Sequence, residues 1–215
     1  MPIDAKICGV KTAEALAAAV AGGAAYFGMV FYPRSPRALT PEQAAVLARQ
    51  APPRIKRVAL LVDPDDETLA RVAGQVPLDL IQLHGNETPR RIAEIKARFE
   101  LPVMKAIKIA TAEDLAPAED YSEVADRLLF DAKAPKSMKD ALPGGNAVAF
   151  DWRILAGRTW PKAWMLSGGL DAGNLAEAVN ITGAAAVDVS SGVEDAPGQK
   201  SPDKIAAFLD RARAL

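Results

Sequence analysis

The sequence predicts an α/β protein, a single-domain (β/α)8 barrel in which eight parallel strands are ringed by helices. Three observations carry this. Short apolar runs alternate with longer stretches of helical periodicity, the pattern left by parallel strands buried on both faces. Roughly eight such strand–helix units follow one another in order. The length, 215 residues, lies near the low end for eight units, so insertions are few and residues 1–215 are expected to form one domain. An open doubly wound sheet is the competing arrangement, and the eightfold repeat favours closure.

Each element has a local reason. Ala5-Lys6-Ile7-Cys8 is the first strand, broken by Gly9. Thr12, a good N-cap, opens a helix that runs through an alanine-rich stretch to Gly22-Gly23. Tyr26 to Phe31 reads as strand, and Tyr32 to Arg37 as a long loop. Thr40-Pro41-Glu42 then starts a helix with proline at the first helical position. Further strands are expected over Arg57 to Val62, Leu78 to Leu83, Val103 to Ile109, Arg127 to Asp131, Lys162 to Leu166 and Ala184 to Val189. Helices are expected over Asp65 to Ala73, Thr88 to Phe99, Ala112 to Val124 with a break at Pro117, Asp171 to Val179, and from Ser201-Pro202-Asp203 onward. The long loop after the sixth strand carries Ala134-Pro135-Lys136 and Pro143-Gly144-Gly145-Asn146, with a short helix near Trp152 to Ala156.

Composition narrows the class. Half of the residues are hydrophobic, a quarter are charged, and the formal net charge is -1 with no long run of either sign. That balance points away from nucleic-acid and membrane partners. A lone cysteine, Cys8, rules out an internal disulfide and fits a reducing compartment. The first residues enter a strand-like run without a basic stretch followed by an apolar one, and no apolar run is long enough to span a bilayer. The expectation is a cytoplasmic protein without a secretory leader.

A barrel of this kind carries its active site at the C-terminal ends of the strands and in the loops that follow. The first strand ends in Cys8. The loop after the second holds Arg34 and Arg37. The fourth ends in Gln82-Leu83-His84-Gly85 and the sixth in Asp131. The seventh ends in Ser167-Gly168-Gly169 and the eighth in Asp188-Val189-Ser190-Ser191-Gly192. Glycines and serines in the last two loops leave backbone N–H groups free for an anion, and a phosphate site there is common in this fold.

The single residues are less specific. Cys8 is either a small buried hydrophobe or a thiol at the barrel mouth. Asp131 is either a loop cap or an acid. His84 reads first as a structural hydrogen-bonding residue. Arg37 is a solvated charge or a fork for a planar carboxylate. Met104, Trp160 and Trp164 read as packing. Side chains alternate along a strand, so Lys6 projects to the same side as Cys8. A buried ammonium needs an acid beside it, and Asp188 has the right alternation to supply one.

Taken together, Lys6-Ile7-Cys8-Gly9, Phe31 to Arg37, Gln82-Leu83-His84-Gly85, Phe130-Asp131, Leu166 to Leu170 and Val187 to Glu194 resemble the phosphoribosylanthranilate isomerase family. Pro197-Gly198-Gln199-Lys200 and Leu142-Pro143-Gly144-Gly145-Asn146 look like that family too, so the resemblance runs from Lys6 to about Lys204. It implies a step of tryptophan biosynthesis without a cofactor or metal. In that step N-(5-phosphoribosyl)anthranilate becomes 1-(2-carboxyphenylamino)-1-deoxyribulose 5-phosphate by an Amadori rearrangement.

Residue by residue, the resemblance puts Cys8 where the family has its general base and Asp131 where it has its general acid. Arg37 falls at the anthranilate carboxylate. Gly168, Gly169, Ser190, Ser191 and Gly192 fall at the phosphate, and Asp188 at a position facing the substrate. The implied partner is a phosphorylated small molecule. Other tryptophan-pathway enzymes are candidate partners, and monomer and homodimer both stay open.

Competing chemistries fare worse on the residues. A Schiff-base aldolase needs a lysine at the mouth, and Lys105 and Lys108 are not beside the other motifs. A metal-dependent epimerase needs clustered histidines, and the chain has one histidine. A phosphate-binding barrel without catalysis predicts loss of the acid or the base, and both residues are present.

Overall fold

The computed structural model describes residues 3–135, 137–138 and 141–215; Lys136, part of the loop motif after the sixth strand, lies outside them. Eight parallel strands follow in order: β1 (Asp4–Cys8), β2 (Tyr26–Val30), β3 (Lys56–Leu61), β4 (Leu80–Leu83), β5 (Val103–Ile109), β6 (Arg127–Ala132), β7 (Ala163–Leu166) and β8 (Ala186–Val189). They form a closed barrel, β8 pairing back onto β1 with Asp4 opposite Ala186 and Lys6 opposite Asp188. Closure excludes the doubly wound alternative.

Alternation along the strands separates two apolar layers. Ile7, Phe27, Met29, Ala59 and Leu61 belong to the main core shared with the helices. Tyr26, Val58, Leu80, Met104, Ala106, Leu129, Met165 and Ala186 form a second cluster within the barrel. Cys8, Val30 and Leu60 make a smaller one at the strand ends. The interior is therefore packed, and a cavity for a ligand lies at its C-terminal mouth.

Helices cover the outside: α1 (Ala13–Ala21), α2 (Pro41–Gln50), α3 (Asp66–Gln75), α4 (Pro89–Phe99), α5 (Ala118–Val124), α6 (Leu175–Thr182) and α7 (Pro202–Arg213). Thr12, Thr40, Asp65 and Thr88 each cap a helix start by accepting a backbone N–H, and Thr40 with Gln43 makes a full capping box.

The structure departs from the sequence expectation in four places. The break at Pro117 leaves a 3-10 turn (Ala112–Leu115) before α5. Between β6 and β7 the expected short helix is a 3-10 turn (Trp152–Leu155). Helix α6 starts at Leu175 rather than Asp171, because Asp171 Oδ1 accepts the N–H groups of Gly173 and Asn174 in a side-chain turn that competes with helix. Finally, β9 (Glu194–Ala196) and β10 (Gln199–Lys200) form a small antiparallel pair after β8. Trp160 and Trp164 are packing residues, as the sequence suggests; both pack against Phe130, tilted and edge-on, with ring centroids 4.6 and 5.5 Å away.

Candidate active site

A cavity opens at the C-terminal mouth. Cys8, Arg37, Asp131, Gly168, Gly169, Asp188, Ser190 and Ser191 all line it. Eight of the nine candidate residues, drawn from five strand ends, therefore meet in one place. Gly192 lies just behind the lining. A Cβ added there would fall 1.9 Å from the Leu170 carbonyl oxygen, so a glycine is needed for the β7 and β8 loops to touch. Leu142 to Val148 of the long loop line the cavity from above.

Cys8 sits on a charged floor. Lys6, one layer below on β1, is fully buried, and its Nζ lies 2.7 Å from Asp188 Oδ1. Ser167 donates to the other Asp188 oxygen at 3.3 Å. Gly28 on β2 makes the space, since a Cβ there would lie 3.0 Å from Cys8 Sγ and 3.1 Å from Lys6 Nζ. Burial pushes the Cys8 thiol up from its ordinary value, Asp188 adds to this, and Lys6 and Lys200 pull the other way without overcoming it. Burial likewise opposes the Lys6 charge, but Asp188 and the neighbouring Cys8 outweigh it and hold the ammonium above the usual lysine range. A pair beneath Cys8 is what strand alternation anticipates, but its two members act on the thiol in opposite directions, and burial sets the net result.

Asp131 is on the far side of the cavity. Its Oδ2 lies 3.1 Å from His84 Nε2, and His84 Nδ1 lies 3.2 Å from the Gln82 amide nitrogen. Gln82, His84 and Asp131 are all buried. The turn that carries His84 is held by a buried ion pair that the sequence alone does not reveal. Lys105 Nζ is 2.6 Å from Glu87 Oε2 and donates to the Gly85 carbonyl at 2.7 Å, while Glu87 accepts from the N–H groups of Gly85 and Asp63. Burial pulls the Lys105 ammonium below the usual range, against Glu87. Lys105 is thus a strut behind the wall and not a nucleophile in the mouth.

Arg37 is anchored more firmly than a solvated loop charge. Its Nε and Nη2 donate to the two oxygens of Glu194, both at 2.8 Å, and Nη2 also donates to the Gly145 carbonyl at 3.2 Å. Gly9, with φ +78°, lets the side chain pass, because a Cβ there would lie 2.6 Å from Arg37 Cδ. Lys200 completes the cluster with Nζ 2.7 Å from Glu194 Oε1 and 2.8 Å from the Ser190 carbonyl. Burial works against the Glu194 charge, but Arg37 and Lys200 win and hold the carboxyl below the usual range. The sequence motifs contain Glu194 and Lys200 but give them no task. Their signal is weak, since both follow the last strand in a hairpin that periodicity does not show.

Around the ring, the loops after β7 and β8 lie between Asp131 on β6 and Cys8 on β1. Gly168 and Gly169 have φ of +91° and +66°, which side chains rarely adopt. Among the described residues, the N–H groups of Gly169, Ser191 and Gly192 donate none of the loop hydrogen bonds within the chain. Backbone donors left unpaired at a mouth suit an anion.

The comparisons with known proteins cover the whole chain. A family model for N-(5'-phosphoribosyl)anthranilate (PRA) isomerase matches residues 5–211. A Rhodospirillum centenum protein named N-(5'-phosphoribosyl)anthranilate isomerase is 63% identical over 215 residues, which is 100% of each chain. One of that name from Paramagnetospirillum magneticum is 57% identical, covering 99% of this chain and 98% of its own. Among solved structures, phosphoribosyl anthranilate isomerase from Thermotoga maritima has a TM-score of 0.88 at 34% identity, covering 99% of this chain and 100% of its own. A phosphoribosyl anthranilate isomerase in complex with reduced 1-(o-carboxyphenylamino)-1-deoxyribulose 5-phosphate has a TM-score of 0.83 at 33% identity, with the same coverage.

Proposed function

The chain belongs to the N-(5'-phosphoribosyl)anthranilate isomerase family, and from that membership we propose how its cavity carries the reaction. The enzyme converts N-(5-phosphoribosyl)anthranilate to 1-(2-carboxyphenylamino)-1-deoxyribulose 5-phosphate in tryptophan biosynthesis. One observation supports the roles given to individual residues. Cys8 and Asp131, on β1 and β6, line one cavity together with the small-residue loops after β7 and β8.

Substrate binds by its two ends. The phosphate takes the backbone N–H groups of Gly168, Gly169, Ser191 and Gly192, with Ser190 alongside. The anthranilate carboxylate takes Nη1 of Arg37, since Nε and Nη2 are engaged by Glu194 and Gly145. The reacting sugar is fixed between these anchors, which turns binding into orientation. Asp188 faces the substrate while holding Lys6 in place.

Asp131 gives a proton to the furanose ring oxygen. The C1′–O bond breaks, and the nitrogen lone pair closes an iminium. That cation acidifies the C2′ hydrogen, which Cys8 removes as thiolate to leave an enolamine. In the last step the 2′-hydroxyl loses its proton to the Asp131 carboxylate and C1′ gains one from the Cys8 thiol. Both residues are then restored, and the sum is an isomerisation. A thiol pushed up by burial needs help to ionise. Lys6 and Lys200 already lean that way, and the iminium adds a third positive charge at the moment the base is needed.

Residues 1–215 act as one catalytic domain on this reading, in the cytoplasm; among the described residues no helix is long and apolar enough to cross a membrane. Sedimentation distinguishes monomer from homodimer, and co-purification tests contact with other tryptophan-pathway enzymes. The direct test generates phosphoribosylanthranilate enzymatically and follows loss of its fluorescence on adding the protein. Turnover by the native chain, with loss in Cys8→Ala and Asp131→Asn, is the expected result. Unchanged fluorescence at high enzyme concentration sinks the proposal.

A further inference from the structure

We propose that His84 is the proton reservoir of Asp131, so that the group acting as general acid is the His84–Asp131 pair. This deepens the proposed function and rests on Asp131 as the acid. It starts from a chemical difficulty. An isolated carboxyl group is ionised above a pH of about 4, so at neutral pH it has no proton to give. It can act as an acid only if its surroundings return one.

The surroundings of Asp131 include an imidazole. His84, the one histidine of the chain, reaches Asp131 Oδ2 with Nε2 at 3.1 Å. Both side chains are buried, and both line the cavity. A Cβ placed on Gly144 of the overlying loop would lie 2.9 Å from Asp131 Oδ2 and 3.0 Å from His84 Nε2, so the shared proton faces the mouth and not the barrel wall.

The partner on the other side of the ring fits a histidine that changes charge. The Gln82 amide nitrogen is 3.2 Å from Nδ1, and among the described residues its buried Oε1 has no partner. In this orientation the amide donates to Nδ1, which leaves the imidazole neutral with its proton on Nε2, directed at the carboxylate. Turned by half a rotation, the same amide presents oxygen to Nδ1 and accepts from it. Gln82 can therefore satisfy either state of Nδ1. A histidine kept for structure alone needs only one of them.

Other charged groups stand on the elements around the pair. Lys105, on β5, is engaged with Glu87 and the Gly85 carbonyl. Asp63, after β3, accepts from the Asn86 N–H. Lys108 pairs in register with Asp131 on the neighbouring strand. From β1 and β8, Cys8 and Asp188 line the same cavity.

In the active form the pair carries one extra proton, as imidazolium with carboxylate or as imidazole with carboxylic acid. The Nε2–H bond breaks as the carboxyl O–H bond forms. That proton passes to the ring oxygen, and the C1′–O electron pair goes with the oxygen. When the 2′-hydroxyl of the enolamine loses its proton, it returns through the carboxylate to Nε2. No net proton enters or leaves.

The test uses the untagged full chain, whose single histidine gives one imidazole signal. Wild-type kcat is expected to fall as pH rises through the imidazole range, and the 15N shifts of His84 to titrate at the same midpoint. His84→Gln keeps a donor for Asp131 but cannot store a proton. It should lose kcat about 10²-fold or more at pH 7.5, within the range for general acid–base groups, while at pH 5 the deficit narrows and KM stays close to wild type.

A His84 that stays neutral throughout the fall in kcat overturns the inference. So does a His84→Gln deficit of the same size at every pH, which marks a positioning role. The titration needs no variant, so it decides the matter even if His84→Gln does not fold. Full turnover by Asp131→Asn instead removes Asp131 as the acid, and the reservoir with it.

Discussion

Lys6 and Asp188 form an ion pair inside the barrel, Nζ to Oδ1 at 2.7 Å, across the one seam where the last strand closes on the first. Removing one partner strands the other charge in a packed interior. Lys6→Met is therefore expected to cost about 3–5 kcal/mol in denaturant unfolding, with the Cys8 thiol driven further from ionising. A cost below about 1 kcal/mol contradicts this account. Because the folded ammonium is held above the usual lysine range, the stability it contributes is fully present below the unfolded value of about 10.4 and declines only as pH rises past that value. The urea midpoint should therefore show no Lys6 transition between about pH 6 and 9.

Cys8→Ala and Asp131→Asn are each expected to lower kcat by at least ~10²-fold with smaller changes in KM, since binding rests on other groups. Cys8→Ser should be poor, because a hydroxyl is a far weaker base than a thiolate. Alkylation by iodoacetamide should inactivate the enzyme, slowly below the ordinary thiol range and faster as pH rises, because burial keeps this thiol protonated. Product or substrate in the cavity should protect it. Near-normal turnover by Cys8→Ala makes the thiol a packing residue.

Inorganic phosphate should inhibit competitively at the loops after β7 and β8. Gly169→Val should raise KM strongly, because a Cβ there meets the Ala149 backbone nitrogen at 2.8 Å at a φ of +66°, and the loop must move. Sulfate soaked into crystals should occupy the same loops. An anion bound elsewhere, with no inhibition, removes the phosphate assignment.

Arg37→Ala should act mainly through KM, and Arg37→Lys should not restore it, since one ammonium cannot hold both Glu194 oxygens and still reach a carboxylate. Glu194→Gln should raise KM as well by loosening the fork. Arg37 and Lys200 hold the Glu194 carboxyl below its usual range. Its contribution to stability is therefore present above the unfolded value of about 4.3 and is lost as pH falls through the lower folded value. Acid unfolding of Glu194→Gln should be correspondingly flatter below about pH 4. An unchanged KM in both Arg37 variants moves carboxylate recognition elsewhere.

Much of this molecule is a consequence of local sequence. Apolar runs buried on both faces give parallel strands, Thr12, Thr40 and Thr88 set helix starts, and the order of strand ends places Cys8, Asp131, Gly168 and Ser190 at one mouth once the barrel closes. Strand alternation turns Lys6 and Asp188 to the same inner face, while the closing register of β8 on β1 sets them side by side. These features depend on residues near in sequence or on a period of two, which the chain displays directly. Other features depend on separations that no period encodes. Arg37 meets Glu194 across 157 residues, Lys105 meets Glu87 behind the wall, and His84 meets Asp131 across 47. Local competition moved the start of α6, because a side-chain turn at Asp171 outweighs helical periodicity. The identities of the charged groups are therefore in the sequence. Which of them share a proton or a hydrogen bond is set by the barrel's register, and that exists only after closure has fixed every strand against its neighbours.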